Sequence, residues 1–119
     1  MYKTVLVKQM IDEGAELLRK LDDGGIPVQA AAWFDDPEKL SWKLVIVTPV
    51  AELVGPLEAY LQIQKAMSGL RTSIALDDII AMGPSSRKFQ EFRRTMEGAA
   101  TPSVGVAFDD AYVYRWHVN

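Results

Sequence analysis

A chain of 119 residues with no cysteine, and with 13 Lys/Arg against 16 Asp/Glu, has room for one hydrophobic core. It lacks the material for a disulfide framework, a thiolate metal site or a cysteine nucleophile. Its net charge of −3 argues against a nucleic-acid partner, which goes with a strongly basic domain.

The balance of 49% hydrophobic and 24% charged residues is that of an ordinary globular domain. A chain of this size buries roughly 65% of the surface its unfolded form exposes, enough for a core without staples. Met1-Tyr2-Lys3-Thr4-Val5 has no long apolar run after its lysine and does not read as a signal peptide. The longest apolar stretches, such as Leu44 to Val47, are too short to span a bilayer. The ending Trp116-His117-Val118-Asn119 carries no prenylation box. The expectation is a cytoplasmic protein with no membrane partner.

The first element reads as a helix from about Val7 to Leu21. Val7, Met10, Ile11, Leu17, Leu18 and Leu21 recur at three- and four-residue intervals, with Asp12, Glu13, Glu16, Arg19 and Lys20 opposite. Asp22-Asp23-Gly24-Gly25 ends it, and Pro27 forbids its return. Two strands follow. Val28 to Phe34 is alanine-rich and weakly patterned, whereas Trp42 to Thr48 is rich in β-branched residues. Loop residues at 35–39 make an antiparallel hairpin the natural reading. Both faces of the second strand are apolar, which predicts a central strand covered on both sides.

Gly55-Pro56 opens a second helix running to about Met67 or Leu70, with proline in its first turn. Leu57, Tyr60, Leu61, Gln64 and Met67 are its expected inner stripe. Leu76 to Met82 reads as a third strand. Gly83-Pro84-Ser85 turns the chain into a third helix ending at Glu97, with Phe89, Phe92 and Met96 on its apolar side. Val104–Phe108 and Tyr112–His117 complete the pattern as a hairpin across Asp109-Asp110-Ala111. The order α-ββ-α-β-α-ββ predicts a single α+β domain over residues 1–119: a five-stranded, mainly antiparallel or mixed sheet packed by three helices. Strand order is not legible from this pattern.

Several segments carry a resemblance: Ala32-Trp33, Asp36-Pro37-Glu38 and Trp42 to Ile46; Gly55-Pro56 with Ala59-Tyr60 and Ile63-Gln64; and Ala111 to Arg115. Together, over most of the chain, they resemble a group of short uncharacterised bacterial proteins of similar length with no assigned activity. The resemblance implies a free-standing bacterial domain and no particular chemistry.

Candidate chemistry gathers at a few places. The doublets Asp22-Asp23, Asp35-Asp36, Asp77-Asp78 and Asp109-Asp110 sit at expected element ends. Carboxylates converging from strand ends could hold a divalent cation, although aspartate is equally the residue of turns and caps. The segment Gly83-Pro84-Ser85-Ser86-Arg87-Lys88 places free amides, two hydroxyls and two cations at a helix start, which suits phosphate or another anion. It lacks the spacing of a P-loop, and Pro84 removes one donor. Ser85, Ser86, Arg87 and Lys88 are therefore a candidate anion-binding set. Arg87, Lys88, Arg93 and Arg94 form the one basic patch that could meet a phosphate backbone, or simply the solvent face of the helix.

Tyr112, Tyr114 and Trp116 alternate and so share one face of the last strand, with Val113, Arg115 and His117 on the other. Buried, they are core; exposed, they are an interface. An edge strand there would pair with a second copy, so a homodimer through the C-terminal hairpin is expected. His117, the only histidine, has no second histidine for zinc and no Gly-x-Ser-x-Gly turn for a triad. No residue is singled out as catalytic and no cofactor is called for. The favoured reading is a non-enzymatic protein-interaction or accessory domain that self-associates. A phosphate- or nucleotide-binding protein using residues 83–88 and a metal-dependent enzyme using Asp77 and Asp78 remain as alternatives.

Overall fold

The computed structural model describes residues 8–36, 41–97 and 111–117. Helix α1, Lys8–Asp23, buries Gly14, Leu17, Leu18 and Leu21 and leaves its charged side in water. Its end is closed by bonds from the Gly24 amide to the Lys20 carbonyl (3.0 Å) and from the Ile26 amide to the Leu21 carbonyl (2.9 Å). Gly25 supplies the left-handed turn with φ 75°. Strands β1 (Ala30–Asp36) and β2 (Ser41–Val47) then form the expected antiparallel pair, from Ala30 opposite Val47 to Asp36 opposite Ser41.

A short helix α2 (Val50–Leu53) and the longer α3 (Pro56–Met67) carry the chain back across the sheet. Thr48, buried at the end of β2, accepts the Val50 amide at 3.2 Å and starts α2. Gly55, at φ 92°, makes the corner before Pro56. A 3-10 turn at Leu76–Asp78 leads into β3 (Ile79–Met82), which runs parallel to β2. Helix α4 (Arg87–Glu97) follows, and β4 (Ala111–Trp116) returns antiparallel to β1. The described strands form one mixed sheet in the order β3-β2-β1-β4, and the fold is α+β.

The two sheet faces are packed differently. On one, Trp33, Leu44, Ile46, Ile79 and Ala81 meet Leu17, Leu18 and Leu21 of α1 and Ala59 and Ile63 of α3. On the other, Ala30, Val45, Val47 and Met82 meet Phe89 of α4, with Phe92 and Trp116 alongside. Each strand residue falls on one face or the other by parity. The sheet is thus a middle layer, which explains why β2 is apolar on both sides.

Several expectations need revision. The strand expected at Val104–Phe108 lies outside the described residues, so four of the five strands are seen. Strand β3 begins at Ile79 and not Leu76, because Asp78 folds back to accept the Ala75 amide at 2.9 Å and tightens the approach. Helix α2 is an addition: four residues give no periodicity to read. Alanine-rich β1 proves as central as β2, flanked by β2 and β4, with Ala30, Ala31 and Ala32 all essentially inaccessible.

Candidate interaction surface

The turn expected to hold an anion is already engaged by the protein itself. Ser86 is the N-cap of α4: its hydroxyl accepts the Phe89 amide at 3.1 Å and donates to the Gly83 carbonyl at 2.7 Å. The Ser85 amide donates to a carboxylate oxygen of Glu52 at 2.7 Å. Glu52 reaches across from α2 directly over Gly83, where a Cβ would stand 2.5 Å from its carboxyl carbon and 2.6 Å from its oxygen. A carboxylate of the protein itself therefore takes the Ser85 amide that an external anion would use. Arg87, Lys88 and Arg94 are exposed, while Arg93 pairs with Glu97 at 3.1 Å.

The acidic doublets serve separate structural ends. Asp22 takes a two-pronged bond from the Arg115 guanidinium, at 3.1 and 2.8 Å, and ties the last strand to the end of α1. Hydrogen bonding from Arg115 holds its carboxyl below the usual range, against the opposing effect of burial. The Asp77 carbonyl accepts Lys43 Nζ at 2.9 Å, and Asp78 makes the turn already described. Asp35 is buried within β1, and Asp109 and Asp110 lie outside the described residues. Among the described residues, no three or more His, Asp or Glu side chains converge to hold a metal ion. His117 is exposed, with its backbone amide on the Gln29 carbonyl at 2.7 Å.

The aromatic alternation on β4 breaks partway. Ala31 faces Arg115 but Ala32 faces Val113, so Tyr114 is an extra residue, a β-bulge. One inserted residue reverses the side-chain phase beyond it. Tyr112 and Tyr114 pack with the α1–α3 core, edge to face at 5.2 Å, whereas Trp116 crosses to the α4 side beside Phe89 and Phe92. The three do not form one stripe. The Tyr114 hydroxyl accepts the buried Trp33 indole N–H at 2.9 Å and donates to the Ile11 carbonyl of α1. Burial pushes this hydroxyl well above the ordinary tyrosine range, so it remains a neutral donor. Trp116 donates to Glu97 at 2.7 Å and latches β4 to the end of α4.

The surface that stands out is elsewhere. Helix α3 buries Ala59 and Ile63, not the leucines. Leu57 is 73% exposed and Leu61 49%, and just before the Gly55 corner Leu53 is 81% and Val54 55% exposed. At 3.6 residues per turn, Leu57 and Leu61 point roughly 160° away from the buried pair. Together the four side chains present on the order of 400 Å² of apolar surface, comparable to the largest apolar patch of a typical monomer, which is often functional. Beside it, between α1 and α3, runs a groove of about 590 Å³ lined by Lys20, Gly24, Ile26, Glu58, Leu61, Gln62, Lys65 and Ala66.

The sequence holds a signal for this face. Leu57, Ala59, Tyr60, Leu61, Ile63, Ala66 and Met67 are apolar, more than one buried stripe uses over three turns. Comparison with known families, curated proteins and solved structures finds no match to this chain. Among the described residues, no helix is long and apolar enough to cross a membrane.

Proposed function

We propose that the chain is a non-enzymatic protein-interaction domain that self-associates, acting in the bacterial cytoplasm, with α3 as its working element. The observation that carries this reading is that α3 leaves Leu57 and Leu61 exposed on the side opposite its buried Ala59 and Ile63. Large apolar side chains exposed together on one side of a helix suit a partner surface, so a partner for Leu57 and Leu61 is the natural completion. The polar groups that suggested chemistry support the same reading: Ser85, Ser86, Asp22 and Asp78 are engaged in caps and ties. Self-association fits α3 better than the aromatic residues of β4, because Tyr112, Tyr114 and Trp116 pack against the protein's own helices.

Sedimentation equilibrium tests this reading. The wild-type chain is expected to be a dimer at micromolar concentration, and Leu57→Asp and Leu61→Asp are expected to be folded monomers. Both positions are exposed, so the substitutions leave the core intact. A wild-type monomer at high micromolar concentration overturns the reading, as does a dimer indifferent to both substitutions.

A further inference from the structure

We propose that the occupant of the α3 face is a second copy of the chain, packed with its own α3 antiparallel about a two-fold axis beside Leu61. This rests on the reading of that face as an interface, and charge placement selects the arrangement. Glu58 and Lys65 are both exposed, and both line the groove flank of α3. They stand one heptad apart, so they occupy the same angular position two turns from each other. In an antiparallel helix pair, such equivalent flank positions face one another across the axis. Each Glu58 then meets the partner's Lys65, twice over by symmetry. A parallel two-fold pair would instead turn this flank away from its counterpart and set Glu58 and Lys65 beside the uncharged flank of Tyr60 and Met67.

The same register satisfies the apolar residues. When Glu58 lies opposite the partner's Lys65, Leu61 lies against its own symmetry mate. Leu61 thus sits at the centre, where interface energy concentrates, with Leu57 of each copy beside it. The helix dipoles also oppose one another in this pairing.

The test uses two singly reversed chains, Glu58→Lys and Lys65→Glu, with far-UV circular dichroism to show that each is folded. Alone, each sets like charges together at two symmetric points and is expected to self-associate at least about tenfold more weakly. Mixed, the reversed charge at position 58 of one variant meets the reversed charge at position 65 of the other. The second pair retains its wild-type partners, so a one-to-one complex of near wild-type affinity should form. Variants that self-associate as the wild type does, or that fail to pair when mixed, overturn this arrangement. If Leu61→Asp abolishes the dimer while the charge variants behave as wild type, the face is an interface but the antiparallel register falls. If the wild type is itself monomeric, the face is not a self-association surface and both proposals fall together.

Discussion

Alanine in place of Gly14 sets helix propensity directly against packing. In an exposed helix interior the change stabilises by about 1 kcal/mol. In α1 the added Cβ would overlap the Tyr114 hydroxyl, and would stand 2.9 Å from that ring's Cζ and 3.0 Å from the Trp33 indole nitrogen. Neither ring has room to retreat: Trp33 is inaccessible in a central strand, and Tyr114 is held on the bulge of β4. Overpacking of this kind costs about 1–3 kcal/mol. Displacing the hydroxyl also strands the Trp33 N–H, at about 1–3 kcal/mol more. The expected net loss is about 1–5 kcal/mol, and the middle of that range corresponds to roughly a 10 °C fall in Tm for a domain of this size. Urea unfolding followed by circular dichroism should show a lower midpoint at unchanged slope. Tyr114→Phe should cost about 1–3 kcal/mol alone, for the same stranded N–H. In the double variant that N–H is lost only once, so the two effects should fall short of additivity by about 1 kcal/mol or more. A higher midpoint for Gly14→Ala, or strict additivity of the pair, would refute the reasoning.

Two other perturbations report on the polar ties. Asp22 titrates below its ordinary range chiefly because Arg115 donates to it, and Glu97 chiefly because the Trp116 N–H does. At Glu13 burial pushes the carboxyl up, but hydrogen bonds from Ser73, Gln9 and Thr72 together bring it lower. The unfolded chain therefore binds protons more readily than the folded one. Stability from these groups is full above the unfolded carboxylate range near about pH 4, and is lost as pH falls through the folded values. Urea midpoints measured from pH 7 to pH 3 should decline, less steeply in Asp22→Asn, and a flat profile would count against these ties. At the α4 turn, Glu52→Ala removes the carboxylate from the Ser85 amide. Phosphate should shift the Ser85 and Ser86 amide resonances in that variant and not in the wild type, and an equal response in both would show that Glu52 does not fill the site.

How much of this is legible in the sequence depends on whether the deciding contact is local. The glycine end of α1, the proline start of α3 and the burial of β2 on both faces follow from short-range chemistry, and each is present. The candidate anion turn is likewise legible as strand, turn and helix. What fills it is Glu52, more than thirty residues earlier, and no spacing rule connects the two. The aromatic alternation on β4 fails because of a bulge, which arises from its pairing with β1 and has no mark within Tyr112-Val113-Tyr114 itself. Arg115 illustrates the same gap: its partners are Asp22 and the Val28 carbonyl, at the far end of the chain.

The roll of α3 is the case where periodicity alone has two answers. A stripe through Leu57 and Leu61 and a stripe through Ala59 and Ile63 are both apolar, and the larger residues favour the first. Tyr60 selects the second. It stands on the flank between the two faces, and its hydroxyl accepts the Ala81 amide at 3.0 Å. Ala81 lies in β3, which ends the described sheet, so this bond also satisfies a donor on an outer strand. Rolling the helix to bury the leucines would carry Tyr60 to the other flank and leave that amide unmatched. Small Ala59, 2% exposed, lets the helix axis come close enough for the bond to form. Tyr60→Phe keeps the ring and removes the acceptor, so it should destabilise by about 1 kcal/mol. Hydrogen exchange should accelerate at Ala81 ahead of its neighbours in β2. If Ala81 exchanges no faster in the variant, the tyrosine does not set the orientation of α3, and the outward leucines need another cause.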